Sequence, residues 1–243
     1  MNEKKLLDLV VEKGYENAEI LIRIGKVKVD NEVNVLPHSK VNINSVISVN
    51  YDKKKWVSRG AFKLLEAIKK FGLNFENKIV LDIGSSTGGF SQVALEYGAK
   101  KIYALDSGTN QLDYSLRINN KIVVMEKTNL KNITFEMFNE IMDIVVCDVS
   151  FISLKEVFKV LGNITNLKTK IFLLIKPQFE ASSKYVDKGG FVDEKYHSFL
   201  IDKIKNFALN YNFKLMNLTK SPILGNKSKN QEYLSLFERF ENG

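Results

Sequence analysis

An α/β fold with a doubly wound sheet, preceded by a small α+β module, is predicted by three observations. The first is the stretch Ile79-Val-Leu-Asp-Ile-Gly-Ser-Ser-Thr-Gly-Gly-Phe90, an apolar run that breaks into a glycine loop and resumes as an amphipathic segment to Tyr97. It reads as a buried parallel strand, a tight loop, and a helix whose N-terminus faces the loop. The second is the alternation of strand and helix patterns from residue 78 onward, the mark of a sheet with helices on both faces. The third is the first fifty or so residues, where two short helical patterns and a few short strands make a unit of their own. The resulting division is a module over residues 1–52, a linker over 53–57 and the α/β domain over 58–243.

In chain order, Lys4 to Lys13 places Leu6, Leu7, Val10 and Val11 on one helical face. Asn17 to Ile24 repeats the pattern with Ala18, Leu21 and Ile22, and Gly25 ends it as a C-cap. Lys26 to Val29 alternates as a strand, Asp30-Asn31 turns, and Val33 to Val35 returns until Pro37 breaks it. Val46 to Tyr51 closes the module, and Asp52-Lys-Lys-Lys-Trp56 is a basic connector. Trp56 either packs at the domain junction or stacks on a base. Ser58 to Phe71 reads as a helix with Ser58 as N-cap and Ala61, Leu64, Leu65 and Ile68 as its apolar stripe. Lys63 lies beside that stripe near the helix start, where a cation is disfavoured, and snorkelling is its plain explanation.

After the glycine loop, strands are expected at Lys101 to Asp106, Ile122 to Glu126, Ile144 to Cys147 and Lys170 to Ile175. Helices are expected at Leu154 to Leu161 and Tyr196 to Tyr211, and late strands at Phe213 to Lys220 and Tyr233 to Phe240. Ligands of such sheets lie at the carboxyl ends of strands. Here those ends carry Asp82, Asp106, Asp148 and Lys176. Cys147, just inside the fourth strand, reads as a core thiol.

The loop spacing is G-x-x-x-G-G, not the G-x-G-x-x-G of dinucleotide sites. An acid, Asp82, stands two residues before the first glycine. A carboxylate there suits a ligand ammonium and repels a pyrophosphate, which favours S-adenosylmethionine over NAD. A glycine loop that merely turns the chain is the plain alternative. The candidate contacts are Gly84, Ser85, Ser86, Thr87, Gly88, Gly89 and Phe90. Asp106 and Ser107 suit ribose hydroxyls, and Asn129 suits adenine.

Composition narrows the rest. The chain of 243 residues holds 36 Lys and Arg against 28 Asp and Glu, a net charge of +8 that permits a polyanionic partner. Abundant Lys, Asn and Ile also follow from AT-rich coding, so charge alone names no partner. No apolar run of about twenty residues is present, so no membrane span is expected, and the N-terminus lacks the apolar core of a signal peptide. One cysteine and two histidines make neither a disulfide nor a usual zinc site. A cytoplasmic location is the expectation.

Two lysines and two carboxylates, Lys63, Asp148, Lys176 and Glu232, can converge on one cleft. A lysine whose pKa is lowered serves as a general base toward a hydroxyl. In-line methyl transfer from a sulfonium to an alcohol oxygen fits that set, with orientation and deprotonation as the protein's contributions. Lysine–aspartate pairs at strand ends are also common as structural ion pairs.

Five ordered motifs carry a resemblance. Ser58-Arg-Gly-Ala-Phe-Lys-Leu, Leu81-Asp-Ile-Gly-Ser-Ser-Thr-Gly-Gly-Phe, Cys147-Asp-Val-Ser-Phe-Ile-Ser-Leu, Leu174-Ile-Lys-Pro-Gln-Phe-Glu and Asn230-Gln-Glu-Tyr together resemble the TlyA family. That family is similar to the FtsJ-type 2′-O-methyltransferases and carries an N-terminal S4 module. The resemblance implies a Rossmann-like, S-adenosylmethionine-dependent methyltransferase domain that methylates cytidine 2′-hydroxyls of ribosomal RNA, acting on RNA or ribosomal subunits. It implies a catalytic Lys63, Asp148, Lys176 and Glu232, with Lys176 as base and Asp148 also beside the cofactor. Leu21 to Glu32 is similar to the S4 RNA-binding fold, which implies RNA contacts at Arg23, Lys26 and Lys28, with Arg59 added from the first motif. Glu16 and Glu19 make the S4-like helix more acidic than that pattern. Family members have also been called haemolysins, so a membrane-active protein is one alternative reading. An RNA-binding protein that keeps the cofactor fold without catalysis is another.

Overall fold

The computed structural model describes residues 2–15, 18–23, 25–50 and 56–241, with only the backbone at Ile20. Of the residues used above, Glu16, Asn17, Ile24, Tyr51 and the connector 52–55 lie outside the described residues. The chain forms two compact units, Met1–Lys55 and Trp56–Gly243.

The first unit runs β1 (Glu3–Lys5), α1 (Leu6–Glu12), α2 (Ala18–Arg23), β2 (Val27–Val29), β3 (Glu32–Val33), β4 (Lys40–Asn42) and β5 (Ile47–Val49). β1 pairs with β4, and a separate three-stranded sheet has the order β3-β2-β5. Leu6, Leu9, Val10, Ala18, Leu21, Ile22, Val27, Val41 and Ile47 form its core. The expected start of the first helix at Lys4 is corrected, since Glu3–Lys5 is recruited as a strand by Lys40–Asn42. The helical face is Leu6, Leu9 and Val10, the i, i+3, i+4 set, while Val11 is exposed. Gly25 ends α2 with φ 71°, its N–H bonded to the Ile22 carbonyl and that of Lys26 to Leu21, a Schellman closure. Asp30 and Asn31 both take positive φ, as a two-residue hairpin turn requires. The return strand stops at Val33, short of the expected Val35, because the Asn34 side chain accepts the Leu36 N–H and turns the chain.

The second unit opens with Trp56, which is buried in that unit's own core. There follow α3 (Gly60–Phe71), β6 (Ile79–Ile83), α4 (Gly89–Glu96), β7 (Lys101–Leu105), α5 (Tyr114–Arg117) and β8 (Ile122–Met125). The chain continues through β9 (Ile144–Cys147), α6 (Leu154–Ile164), β10 (Lys170–Ile175), α7 (Pro177–Glu180), α8 (His197–Leu209), β11 (Phe213–Lys220) and β12 (Tyr233–Arg239). Seven strands form one sheet in the order β11-β12-β10-β9-β6-β7-β8. The five from β10 to β8 are parallel, and β12 and β11 add antiparallel.

Side-chain alternation along these strands makes two apolar layers. Leu81, Ile83, Val145, Cys147, Ile171 and Leu173 face α6 and α8. Val80, Ala104, Val146, Phe172 and Leu174 face α3 and α4. Both faces are covered, which is why the strands read as continuous apolar runs. The sequence winds outward from β6 in both directions, toward β7 and β8 on one side and β9 and β10 on the other. The crevice at the carboxyl ends of β6 and β9 is therefore the switch point where ligands of such sheets bind.

Gly84 turns the chain at that crevice with φ 79°, and a Cβ on it would stand 2.9 Å from the carbonyl oxygen of Asp148. Both conditions select glycine. Gly84→Ala is expected to lower the unfolding free energy by about 2–4 kcal/mol, measured as a lower urea midpoint at unchanged slope.

Candidate active site

The loop after β6 is tied down by its own backbone bonds. Gly84 and Ser85 N–H both donate to the Leu105 carbonyl, and Gly88 N–H donates to Ser85. Gly88 enters α4 at φ 95°. Ser58 is not the N-cap of α3; Arg59 holds that place without a side-chain cap. The Ser58 hydroxyl instead lies against Gly89, where a Cβ would come within 2.2 Å of Oγ. Two helix starts, α3 and α4, thus meet at the loop with no larger residue between them.

Asp82, expected to await a ligand ammonium, is buried and lines the crevice, but its carboxylate already accepts the Ser91 hydroxyl at 2.6 Å. Burial pushes its pKa up to about 7 against that hydrogen bond, with the charges of Asp148 and Asp106 adding to the rise. Asp106 is held by two backbone donors, Ser86 N–H at 2.8 Å and Gly108 N–H at 2.7 Å, one to each oxygen. A carboxylate oxygen accepts more than one bond, so both retain capacity toward a hydroxyl. Asn129 caps a 3-10 turn by accepting the Lys131 N–H on Oδ1, which leaves its amide N–H groups to donate. Asp106, Ser107, Asn129, Gly84, Ser86 and Asp148 share a cavity of about 600 Å³, within the size range of cofactor sites. Ser85, Thr87, Gly89, Phe90 and Arg59 line the adjoining cavity of about 410 Å³ with Asp82. Gly88 lies beneath, against Leu112 and Leu116. The donors, the carboxylates and the volume fit a nucleoside bearing an ammonium.

Glu126, at the end of β8, is a residue the sequence reading passed over. It accepts the N–H groups of Asn110, Gln111 and Leu112 and the Arg117 guanidinium. Partial burial opposes its charge, but these four donors hold its pKa down to about 2. It anchors the loop after Asp106. The legible signal was a third acid at a strand end, after Asp82 and Asp106.

The four expected catalytic side chains converge. The Lys63 ammonium donates to Glu232 Oε2 at 2.7 Å and to Asp148 Oδ2 at 3.1 Å. The Lys176 ammonium lies 2.5 Å from Asp148 Oδ1 and donates to Ser150 Oγ at 3.0 Å. Lys63, Lys176 and Glu232 are all buried, so Lys63 does not snorkel. Burial works against its charge, yet Asp148 and Glu232 outweigh it and raise the pKa above the usual lysine value. Burial likewise opposes the Asp148 carboxylate, but Lys176 and Lys63 hold its pKa below the ordinary value. Cys147 is buried next door, and burial pushes its thiol pKa up, as an inert core group.

Beyond the tetrad a third cavity of about 420 Å³ is lined by Lys63, Lys176, Glu232, Phe151, Phe179 and Ser228, among others. Phe151 is 84% exposed with φ 64°, and its ring lies 5.0 Å from that of Phe179. An exposed phenylalanine in a left-handed conformation is rarely structural. The sequence signal was an apolar residue in a loop three positions after a strand-ending acid. In the first unit Lys26 and Lys28 are exposed, whereas Arg23 is paired with Glu19 at 2.8 Å.

Comparison with known proteins agrees with this architecture. A family model of FtsJ-like methyltransferases matches residues 56–239. "Hemolysin A" of Brachyspira hyodysenteriae is 48% identical over 192 residues, 75% of this chain and 77% of that one. The "23S rRNA (cytidine-2'-O)-methyltransferase TlyA" of Campylobacter jejuni is 37% identical over 246 residues, 96% of this chain and 92% of that one. A solved Streptococcus thermophilus structure with hemolysin in its name superposes with TM-score 0.75 at 32% identity, covering 100% of this chain and 90% of that one.

The buried Asp82 carboxyl links stability to pH. The folded state binds this proton up to about pH 7 and the ordinary carboxyl only to 3.8. Between those values the folded protein holds more protons than the unfolded one, so stability falls as pH rises. Asp82→Asn removes that contribution. Its melting temperature minus that of the wild type is expected to rise from pH 4 to 7 and to be constant above. A parallel pair of curves over that range would show that Asp82 is ionised in the free protein.

Proposed function

The chain belongs to the FtsJ-like methyltransferases, in the group that includes the TlyA proteins, and on that premise we propose that it methylates the ribose 2′-hydroxyl of a cytidine in ribosomal RNA. The observation that carries the reading is the placement of the Lys63–Asp148–Lys176–Glu232 network between the nucleoside-sized cavity and the cavity of Phe151. When bound, S-adenosylmethionine supplies an electrophilic methyl on its sulfonium.

The residues divide the remaining work. Asp106 and Ser107 hold the ribose of the cofactor, Asn129 its adenine, and Asp82 its ammonium. Gly84, Ser85, Ser86, Thr87, Gly88, Gly89 and Phe90 shape the turn and helix start around its methionine part. Lys63 is a poor base, because two carboxylates hold it protonated; it orients Asp148 and Glu232 and faces the acceptor. Among the described residues Lys176 is paired with a single carboxylate, that of Asp148, and it takes the hydroxyl proton. Phe151 and Phe179 offer an apolar wall to the base of the acceptor nucleotide. We read the first unit as an S4-like RNA-binding module with Lys26, Lys28 and Arg23 toward RNA, Arg59 serving the same end in the second unit, and the protein as cytoplasmic. No helix among the described residues is long and apolar enough to cross a membrane. The hemolysin names belong to relatives; the complete tetrad favours transfer chemistry over membrane activity and over a catalytically silent RNA binder.

The test is methyl transfer from labelled S-adenosylmethionine to unmodified ribosomal RNA, with the product mapped by mass spectrometry. Lys176→Ala is expected to reduce the rate by about 10²–10⁴-fold, with cofactor affinity measured by calorimetry within threefold of wild type. Retention of the full rate would remove Lys176 from its role.

A further inference from the structure

The cavity of Phe151 has two lips. One is the segment Ser183 to Gly190, whose Val186, Gly189 and Gly190 line the cavity; the other is Asn226 to Lys229, which contributes Asn226, Lys227 and Ser228. They are fastened together by the buried Asn230. Its amide nitrogen donates to the Gly190 carbonyl at 2.8 Å and to Ser228 Oγ at 2.7 Å, and its oxygen accepts the Val192 N–H at 2.8 Å. The lips therefore keep a fixed spacing.

The charges on the lips are unequal. Lys184, Lys188, Lys227 and Lys229 are exposed, and none of them has a carboxylate within ion-pair distance among the described residues. The acids of the same region are engaged. Asp187 accepts the N–H groups of Gly189 and Phe191, Asp193 pairs with Lys195, and Glu194 pairs with Lys220. An aromatic stack lies behind the first lip, with Tyr185 and Tyr196 rings 4.7 Å apart and Lys184 Nζ 4.7 Å above Tyr185. Two lysines on each lip, against the single carboxylate of Asp187 on the first, leave a net positive charge on both sides of an aromatic-walled pocket, which matches a strand whose one residue enters the pocket while its backbone phosphates lie outside.

We propose that these two lips are a phosphate clamp, which grips the single-stranded RNA on either side of the nucleotide presented to Lys176. The clamp rests on the transferase reading and adds to it where the acceptor strand is held. Phosphates position the strand and the pocket selects the nucleotide, as in other nucleic-acid sites. The four lysines act through charge, so neutral replacement removes the effect and leaves the lip backbone and Asn230 in place.

The test compares the full-length chain with two double variants, Lys184→Gln/Lys188→Gln and Lys227→Gln/Lys229→Gln, and with the control Lys195→Gln/Lys220→Gln. Binding of unmodified ribosomal RNA is titrated at several KCl concentrations, with S-adenosylmethionine affinity measured alongside. Each lip variant is expected to bind RNA at least fivefold more weakly at low salt. Its slope of log affinity against log salt is expected to be shallower by about 1.4, the loss of two single-strand phosphate contacts. Cofactor affinity stays within twofold, and the control stays near wild type. Lip variants that match the control in affinity and slope overturn the clamp while leaving methyl transfer standing. A wild-type chain that neither binds nor methylates ribosomal RNA overturns both.

Discussion

Much of the second unit depends on one buried ammonium. Lys63 sits in the first turn of α3, where the helix dipole already disfavours a cation, and in a crevice where solvent cannot compensate it. An uncompensated charge there is untenable, so both Asp148 and Glu232 are needed against it. Glu232 depends on that lysine in turn, while Asp148 shares its charge between Lys63 and Lys176. The network binds together a helix, the end of β9 and the start of β12, which are 85 and 169 residues from Lys63 along the chain.

The sheet brings these ends to one edge. Ile175 pairs with Tyr233 across the antiparallel contact of β10 and β12. Lys176 therefore leaves its strand at the same height at which Glu232 enters. β9 and β10 run parallel, with Cys147 beside Leu173, so Asp148 emerges at that same edge. Within such a sheet the three positions are fixed by register, and a slip of one residue would turn them to the other face. α3 then needs only to lie over β12 for Lys63 to complete the set.

That arithmetic explains how much of the site was legible in the sequence. Apolar runs located β6, β9 and β10, and the polar residue that ends each run is a functional candidate whatever the details. The bounds of β10 and β11 match the expectation, whereas β1 and β4 were missed because their residues are mostly polar and exposed and owe their shape to each other. The burial of Lys63 was not legible either. Local pattern places it beside an apolar stripe, and only the long-range acids reveal that it goes inside. Phe151 carries no such signal, because it lies on a loop where periodicity says nothing, whereas Glu126 ends a strand run as Asp82 and Asp106 do and differs in serving the adjacent loop.

The same distribution of charge separates capture from chemistry. At physiological ionic strength exposed charges are screened over about 8 Å, while buried pairs are screened far less. The lip lysines stand in solvent, so their pull on RNA weakens as salt rises. Lys63, Asp148, Lys176 and Glu232 are within 3.1 Å of one another in successive pairs and largely out of water. Their field at the acceptor hydroxyl hardly senses bulk salt. In the proposed reaction salt therefore governs how often a strand is seated, and the buried network governs what happens once it is. A single catalytic edge can serve both tasks because one group of cations is wet and the other dry.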